Sequence, residues 1–245
     1  VLRGEFRTAR EHLEEALRLY DTQPAASFDL LMGLDEKVTC LTWLAWAIWP
    51  LGYADQGAKY SEAAIARARQ LGQPATLAFA LAIDGALFHS FRREPEAAQA
   101  HQQELLGLAA ASGLVVFQVL ARITEGLSLT EQGQVEQGIA QIRQGTAAWQ
   151  AMGTATGRVM HLEVLARAYR AAGQIEQALG TVDEALTLIE QVGLRFGEAK
   201  LWRLRGELLW LEGADQAEAE ACFQRAITVA QQQGARLWEL RATVS

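Results

Sequence analysis

Apolar residues recur along this chain at helical spacing, in segments that end at glycine-bearing turns. Leu41, Leu44, Ala45 and Ile48 form one stripe before Gly52, and Leu162, Leu165, Ala166 and Tyr169 form another before Gly173. Positions three and four apart share one face of an α-helix, so each stripe predicts an amphipathic helix with that face turned inward.

A longer period lies over the helical one. A turn residue, usually glycine, is followed five positions later by a small residue. An apolar residue usually comes four later, and a small one three further on. The copies begin at Gly4, Gly52, Arg93, Gly133, Gly173 and Ala214, at intervals of 48, 41, 40, 40 and 41 residues. The first interval is long because it contains Thr22 to Asp35, with Pro24, Ser27 and Gly33, which reads as an inserted loop. The small position five after the turn is Ala9, Gly57, Ala98, Gly138, Ala178 and Ala219. Two antiparallel helices joined by a short turn approach closely only where such small residues meet. Each unit is therefore a helix pair, with turns near residues 52, 93, 133, 173 and 213. The third unit departs from the rest, with Arg93, Gln102 and Leu105 where small and apolar residues are usual.

These residues carry a resemblance to the tetratricopeptide repeat. Leu165, Ala166, Tyr169, Ala178 and Ala185 match its signature, as do Gly206, Ala219, Phe223 and Ala226. A period near 40 exceeds the 34 of the simplest form of that repeat and implies helices longer by roughly one turn. The resemblance implies an all-α, right-handed superhelix of about five and a half helix pairs. The chain is read as one solenoid, residues 1–245, cut from a longer protein.

A narrower resemblance rests on Leu44 to Ala47 with Leu51 to Gln56, Glu131 to Gln134, Arg203 to Leu209, Ala217 to Phe223 and Glu239 to Ala242. Together these stretches are similar to the C-terminal repeat arm of bacterial STAND-type ATPases. Such proteins often carry an adenylate or guanylate cyclase domain or a DNA-binding transcriptional domain. The resemblance implies a sensing or interaction arm, with nucleotide chemistry in domains outside this segment.

Composition agrees with helix and narrows the partners. Half of the residues are hydrophobic, 21% are charged, and only four are proline, so a sizeable core is available and strands are not expected. The 22 Lys and Arg against 29 Asp and Glu leave a net charge of −7, which argues against direct nucleic-acid binding. Two cysteines, Cys40 and Cys222, make no disulfide framework, and a reducing cytoplasm is the expected setting. The apolar stretches around Leu41 to Trp49 and Leu77 to Leu87 are interrupted or too short to cross a bilayer, so no membrane partner is expected.

Candidate chemistry is sparse. Gly52 to Gly57 followed by Ala58 and Lys59 falls short of a phosphate-binding loop, lacking the adjacent Lys and Ser or Thr. His12, His89, His101 and His161 show no metal-ligand spacing, and no nucleophile elbow occurs. No catalytic residue, cofactor or metal is expected.

The remaining candidate is the concave face, which repeat proteins use as an extended binding surface. By phase with the repeat, first-helix residues off the packing stripe line it. Trp46 and Trp49 come first, then an apolar middle through Ile83, Leu87, Ile123 and Leu127. Glu163, Arg167, Arg170, Lys200, Arg203, Glu207 and Trp210 follow towards the C-terminus. The tryptophans suit an apolar side chain, and Arg167, Arg170 and Arg203 suit a carboxylate or phosphate. The competing reading is structural: tryptophans packed between repeats, and arginines paired with Glu163 and Glu207.

The expected function is protein or peptide binding within a signalling ATPase or cyclase. The alternatives are a small-molecule effector site of a transcriptional regulator and a scaffold with no ligand. Leu237, Trp238 and Leu240 form an apolar stripe with no following helix to cover them. The expectation is therefore self-association, or fraying from Ala235 to Ser245.

Overall fold

The computed structural model describes residues 1–22, 33–153 and 157–245. Among these the chain is helical throughout, with no strand. Most of the segment expected as an inserted loop lies outside the described residues.

A single helix, α1 (Phe6–Thr22), comes first. α2 (Glu36–Ile48) and α3 (Ala54–Leu71) then form a pair. In the next unit the first member is the continuous run Pro74–Arg92: α4 (Pro74–Ala80), a π-helical segment (Leu81–Phe88) and α5 (His89–Arg92). Its partner is α6 (Pro95–Ala111). Three more pairs follow: α7 (Val115–Glu131) with α8 (Val135–Ala151), α9 (Arg158–Ala171) with α10 (Ile175–Val192), and α11 (Glu198–Glu212) with α12 (Gln216–Gln233). α13 (Arg236–Thr243) ends the chain.

The small positions of the repeat sit where helices cross. Gly57, Ala98, Gly138, Ala178 and Ala219 are all buried. A close crossing joins α7 and α8: a Cβ added at Gly126 would lie 2.6 Å from the Gly138 carbonyl oxygen and 2.9 Å from the Ile142 nitrogen. No side chain fits there, so both helices carry glycine. The anomalous third unit is accommodated by hydrogen bonds. Buried Gln102 donates from Nε2 to the Ala121 carbonyl at 2.7 Å and accepts from the Thr124 hydroxyl, while Leu105 is fully buried.

The run Pro74–Arg92 is long and apolar enough to cross a bilayer by length and composition, and 78% of its apolar window is buried within the solenoid. Asp84, at its centre, is fully buried and accepts a hydrogen bond from Thr42 on α2.

The superhelix closes on itself. The Phe196 amide donates to the Leu2 carbonyl at 3.0 Å, and the Leu237 amide donates to the Pro50 carbonyl at 3.0 Å. Phe6 meets Phe196 and Trp238 edge-on, with ring centroids 5.8 and 5.3 Å apart. This corrects the expected exposure of the C-terminal stripe. Trp238 is 2% exposed, because the N-terminal helix and the Phe196 loop cover it. Leu237 is partly buried, and Leu240 alone of the three remains exposed.

Candidate functional site

Closure brings residues from both ends of the solenoid around one partly open cavity of about 150 Å³. Trp49, Phe91, Leu204 and Trp238 supply its apolar wall; Arg93, Arg167, Arg170, Lys200, Arg203 and Arg241 supply positive charge. Glu163 is the one acidic residue lining it. Six cations thus converge inside a protein whose net charge is −7.

Their pairing is uneven. Lys200 donates to both carboxylate oxygens of Glu163, at 2.8 and 2.7 Å, and its ammonium lies 4.2 Å from the Phe91 ring centroid. Arg203 and Arg170 share Glu207, the latter at 3.1 Å, and Arg167 lies 3.6 Å from Glu131. Arg93 and Arg241 have no ion-pair partner among the described residues; Arg241 instead lies over the Trp49 ring at 5.5 Å.

The electrostatics follow from this crowding. Burial, then the neighbouring Arg241 and Arg170, lowers the Arg203 pKa to about 10. Burial lowers Arg241 as well, with Arg93 and Arg167 adding repulsion. Lys200 is lowered chiefly by burial, against the pull of Glu163. Like charges crowded together and partly buried disfavour their own protonated forms, and an entering anion relieves that penalty.

Backbone geometry singles out Arg93. The corresponding turns at Gly52, Gly133, Gly173 and Gly213 all have positive φ, and so does Arg93, at 66°. Among the described residues it is the only non-glycine in that region. A residue with a Cβ held there costs roughly 1 kcal/mol relative to glycine. Its amide donates to the Ser90 carbonyl and thereby closes α5, and its side chain is set at the cavity wall.

The residues anticipated from sequence divide into four groups. Trp49, Glu163, Arg167, Arg170 and Arg203 are brought together at the cavity. Trp46 is not an open groove anchor: it is 2% exposed and packed against Phe88, Phe91 and Phe196 at centroid distances of 5.3 to 5.7 Å. Trp210 lies outside, 62% exposed, on a separate cleft of about 410 Å³ with Leu211 and Phe223. A third cleft, of about 460 Å³, includes Leu127, Glu131 and Leu211 and shares Arg167 and Arg170 with the cavity wall. Ile83, Leu87, Ile123 and Leu127 are buried, so the apolar middle is packed interior.

Sequence phase placed Lys200 on the concave face, where it does line the cavity, but missed Arg93, Trp238 and Arg241 as members of the same site. Arg93 left a signal, as the arginine in a turn position where glycine is the rule. Arg241 and Trp238 left none, because only closure of the superhelix brings α13 to the cavity. Among the described residues no group of three or more His, Cys, Asp or Glu is placed to hold a metal ion.

No family model and no curated protein matches this chain. Solved structures share its fold. PlcR of Bacillus thuringiensis, crystallised with the peptide PapR7 and DNA, superposes with a TM-score of 0.69 at 13% identity over 98% of both chains. The apo form of RapI gives 0.57 at 12% identity, over 98% of this chain and 92% of that one. BtubC (BKLC) of P. vanneervenii gives 0.55 at 18% identity, over 95% and 92%. At these identities the likeness establishes an all-helical, tetratricopeptide-like solenoid.

Proposed function

We propose that this chain is a peptide-binding sensor arm and that its partly open cavity receives part of the peptide. The observation that carries the reading is the convergence of six cations and an aromatic wall on one cavity, with Arg167 and Arg170 continuing into the adjoining cleft. Structural ion pairs account for four of those cations and leave two over. The same fold in PlcR is found in complex with a peptide, which supports peptide as the ligand class. The arm performs no chemistry of its own in this reading. It serves a cytoplasmic bacterial signalling ATPase or cyclase, where occupancy of the interior biases the state of attached domains. Direct nucleic-acid binding is not part of the proposal, since the protein is acidic overall.

The test is affinity selection of the full chain against a random-sequence heptapeptide pool, with retained peptides sequenced by mass spectrometry. Convergent sequences that an Arg167→Gln, Arg170→Gln variant of unchanged circular dichroism fails to retain would support the reading. An unselected pool would reject it. A small organic anion that raises the melting temperature under those conditions would favour a metabolite effector.

A further inference from the structure

The cavity is small and chemically divided. Its volume of about 150 Å³ is well below the 300–1,000 Å³ of pockets that enclose a whole ligand, so it suits one terminal group. One wall is apolar, with Trp49, Phe91 and Trp238, and the other is guanidinium. A free phosphate would use the charge and waste the aromatic wall. An apolar side chain alone would leave the charge unanswered. A residue at the end of a peptide carries both chemistries, a side chain and a carboxylate on the same Cα.

Two groups stand ready for that carboxylate. Arg93 and Arg241 both line the cavity, and neither has an ion-pair partner among the described residues. Guanidinium forks match carboxylates in geometry and give strong charge-assisted hydrogen bonds. Arg93 also holds a left-handed turn in which the other repeats use glycine, so its side chain is present against the local backbone preference.

We infer that the cavity is a receptor for the C-terminal carboxylate of a peptide, held by Arg93 and Arg241, with the last side chain against Trp49 and Trp238. The inference rests on the peptide-sensor reading and specifies which end of the peptide enters. The preceding residues leave along Arg167 and Arg170 towards the Leu211 cleft. Because α13 supplies Arg241 and the turn after α5 supplies Arg93, a bound carboxylate ties the last helix to the second helix pair and strengthens the closed form.

The experiment compares two pools of N-acetylated random heptapeptides, one with free C-terminal carboxylates and one amidated, over the full chain. The variants are Arg93→Asn, whose asparagine accepts a left-handed turn more readily than arginine, and Arg241→Gln, each checked by melting temperature and near-ultraviolet circular dichroism. The expected result is that selected acids bind at least tenfold more tightly than their amides, and that either variant removes most of that ratio. Equal affinity of acid and amide forms would overturn the carboxylate assignment while leaving peptide binding intact. Binding insensitive to amidation but lost in both variants would place an internal Asp or Glu in the cavity, and this too overturns the assignment. No retention from either pool would reject both readings. Stabilisation by sodium phosphate, without stabilisation by N-acetyl amino acids, would reassign the site to a free oxyanion.

Discussion

The guanidinium of Arg241 lies 5.5 Å from the ring centroid of Trp49, so the final helix touches the end of α2 in the first complete helix pair. The Leu237 amide, bonded to the Pro50 carbonyl at 3.0 Å, repeats the link one helical turn earlier. A solenoid whose repeats touched only sequence neighbours would have an open groove and two bare ends. In this one the two ends touch across a partly open cavity, and its stability and its candidate site depend on the same contacts.

Phe6 is the keystone of that closure, fully buried against Phe196 and Trp238. Phe6→Ala should cost about 3 kcal/mol, the usual loss for truncating a buried aromatic ring. Urea unfolding reads the loss directly. Hydrogen exchange should localise the new exposure to α13, and protection there equal to wild type would show that the ends do not depend on each other.

At the α7–α8 crossing, Gly126→Ala would place a methyl 2.6 Å from the Gly138 carbonyl oxygen. Backbone cannot step aside as a flexible side chain can, so the helices must separate. The expected destabilisation is about 2 kcal/mol, measured by denaturant unfolding. Gly107→Ala on α6, where no atom lies within 4 Å of the added methyl, should be neutral or slightly stabilising.

Burial pushes the Asp84 pKa up to about 8, against hydrogen bonds that favour its charged form. Unfolded, the same carboxyl titrates near pH 3.9. Between those values the folded state holds the proton and the unfolded state has released it, so stability falls as pH rises from about 4 to 8. Asp84→Asn should therefore be more stable than wild type at pH 8 by a few kcal/mol and lose that advantage towards pH 4. Parallel pH profiles would show this weakening of Asp84 as a failed expectation.

His161 has the opposite sign. Burial lowers its pKa to about 4, and among the described residues neither ring nitrogen has a hydrogen-bond partner. The unfolded chain binds a proton below about pH 6.5, which the folded chain refuses until about pH 4, so stability is lost as pH falls through that window. His161→Phe preserves an edge contact with Trp149 and should shift the midpoint of acid unfolding downwards. An unchanged midpoint would mean that other groups govern the acid limb.

Arg93→Gly relieves the left-handed strain and removes one of six crowded cations. It should raise stability by about 1 kcal/mol. A destabilised variant would mean that the arginine side chain holds the turn through contacts worth more than its backbone strain.

Much of the helical plan was legible in sequence because it is local. The recurrence of small residues marks where helices cross, and the phase of Glu163, Arg167 and Arg203 points them to the interior. Trp46 shows where phase stops. It does face inward, yet the interior at that level is filled by Phe88, Phe91 and Phe196, and a side chain that faces a partner packs against it. Trp210 shows the converse, since its turn of α11 lies beyond the closed region and leaves the ring in solvent.

By itself the sequence determined the all-helical repeat, the short-range register of each pair and the inward direction of the C-terminal arginines. These follow from periods of 3.6 and about 40 residues, which are readable within one or two helices. Only the tertiary structure decided that the ends meet, that Trp238 is covered by Phe6, and that Arg93 and Arg241 face one cavity. The physical reason is accumulation. Superhelical curvature is the sum of small rotations at every crossing, and whether that sum closes the ring is a property of all the interfaces together.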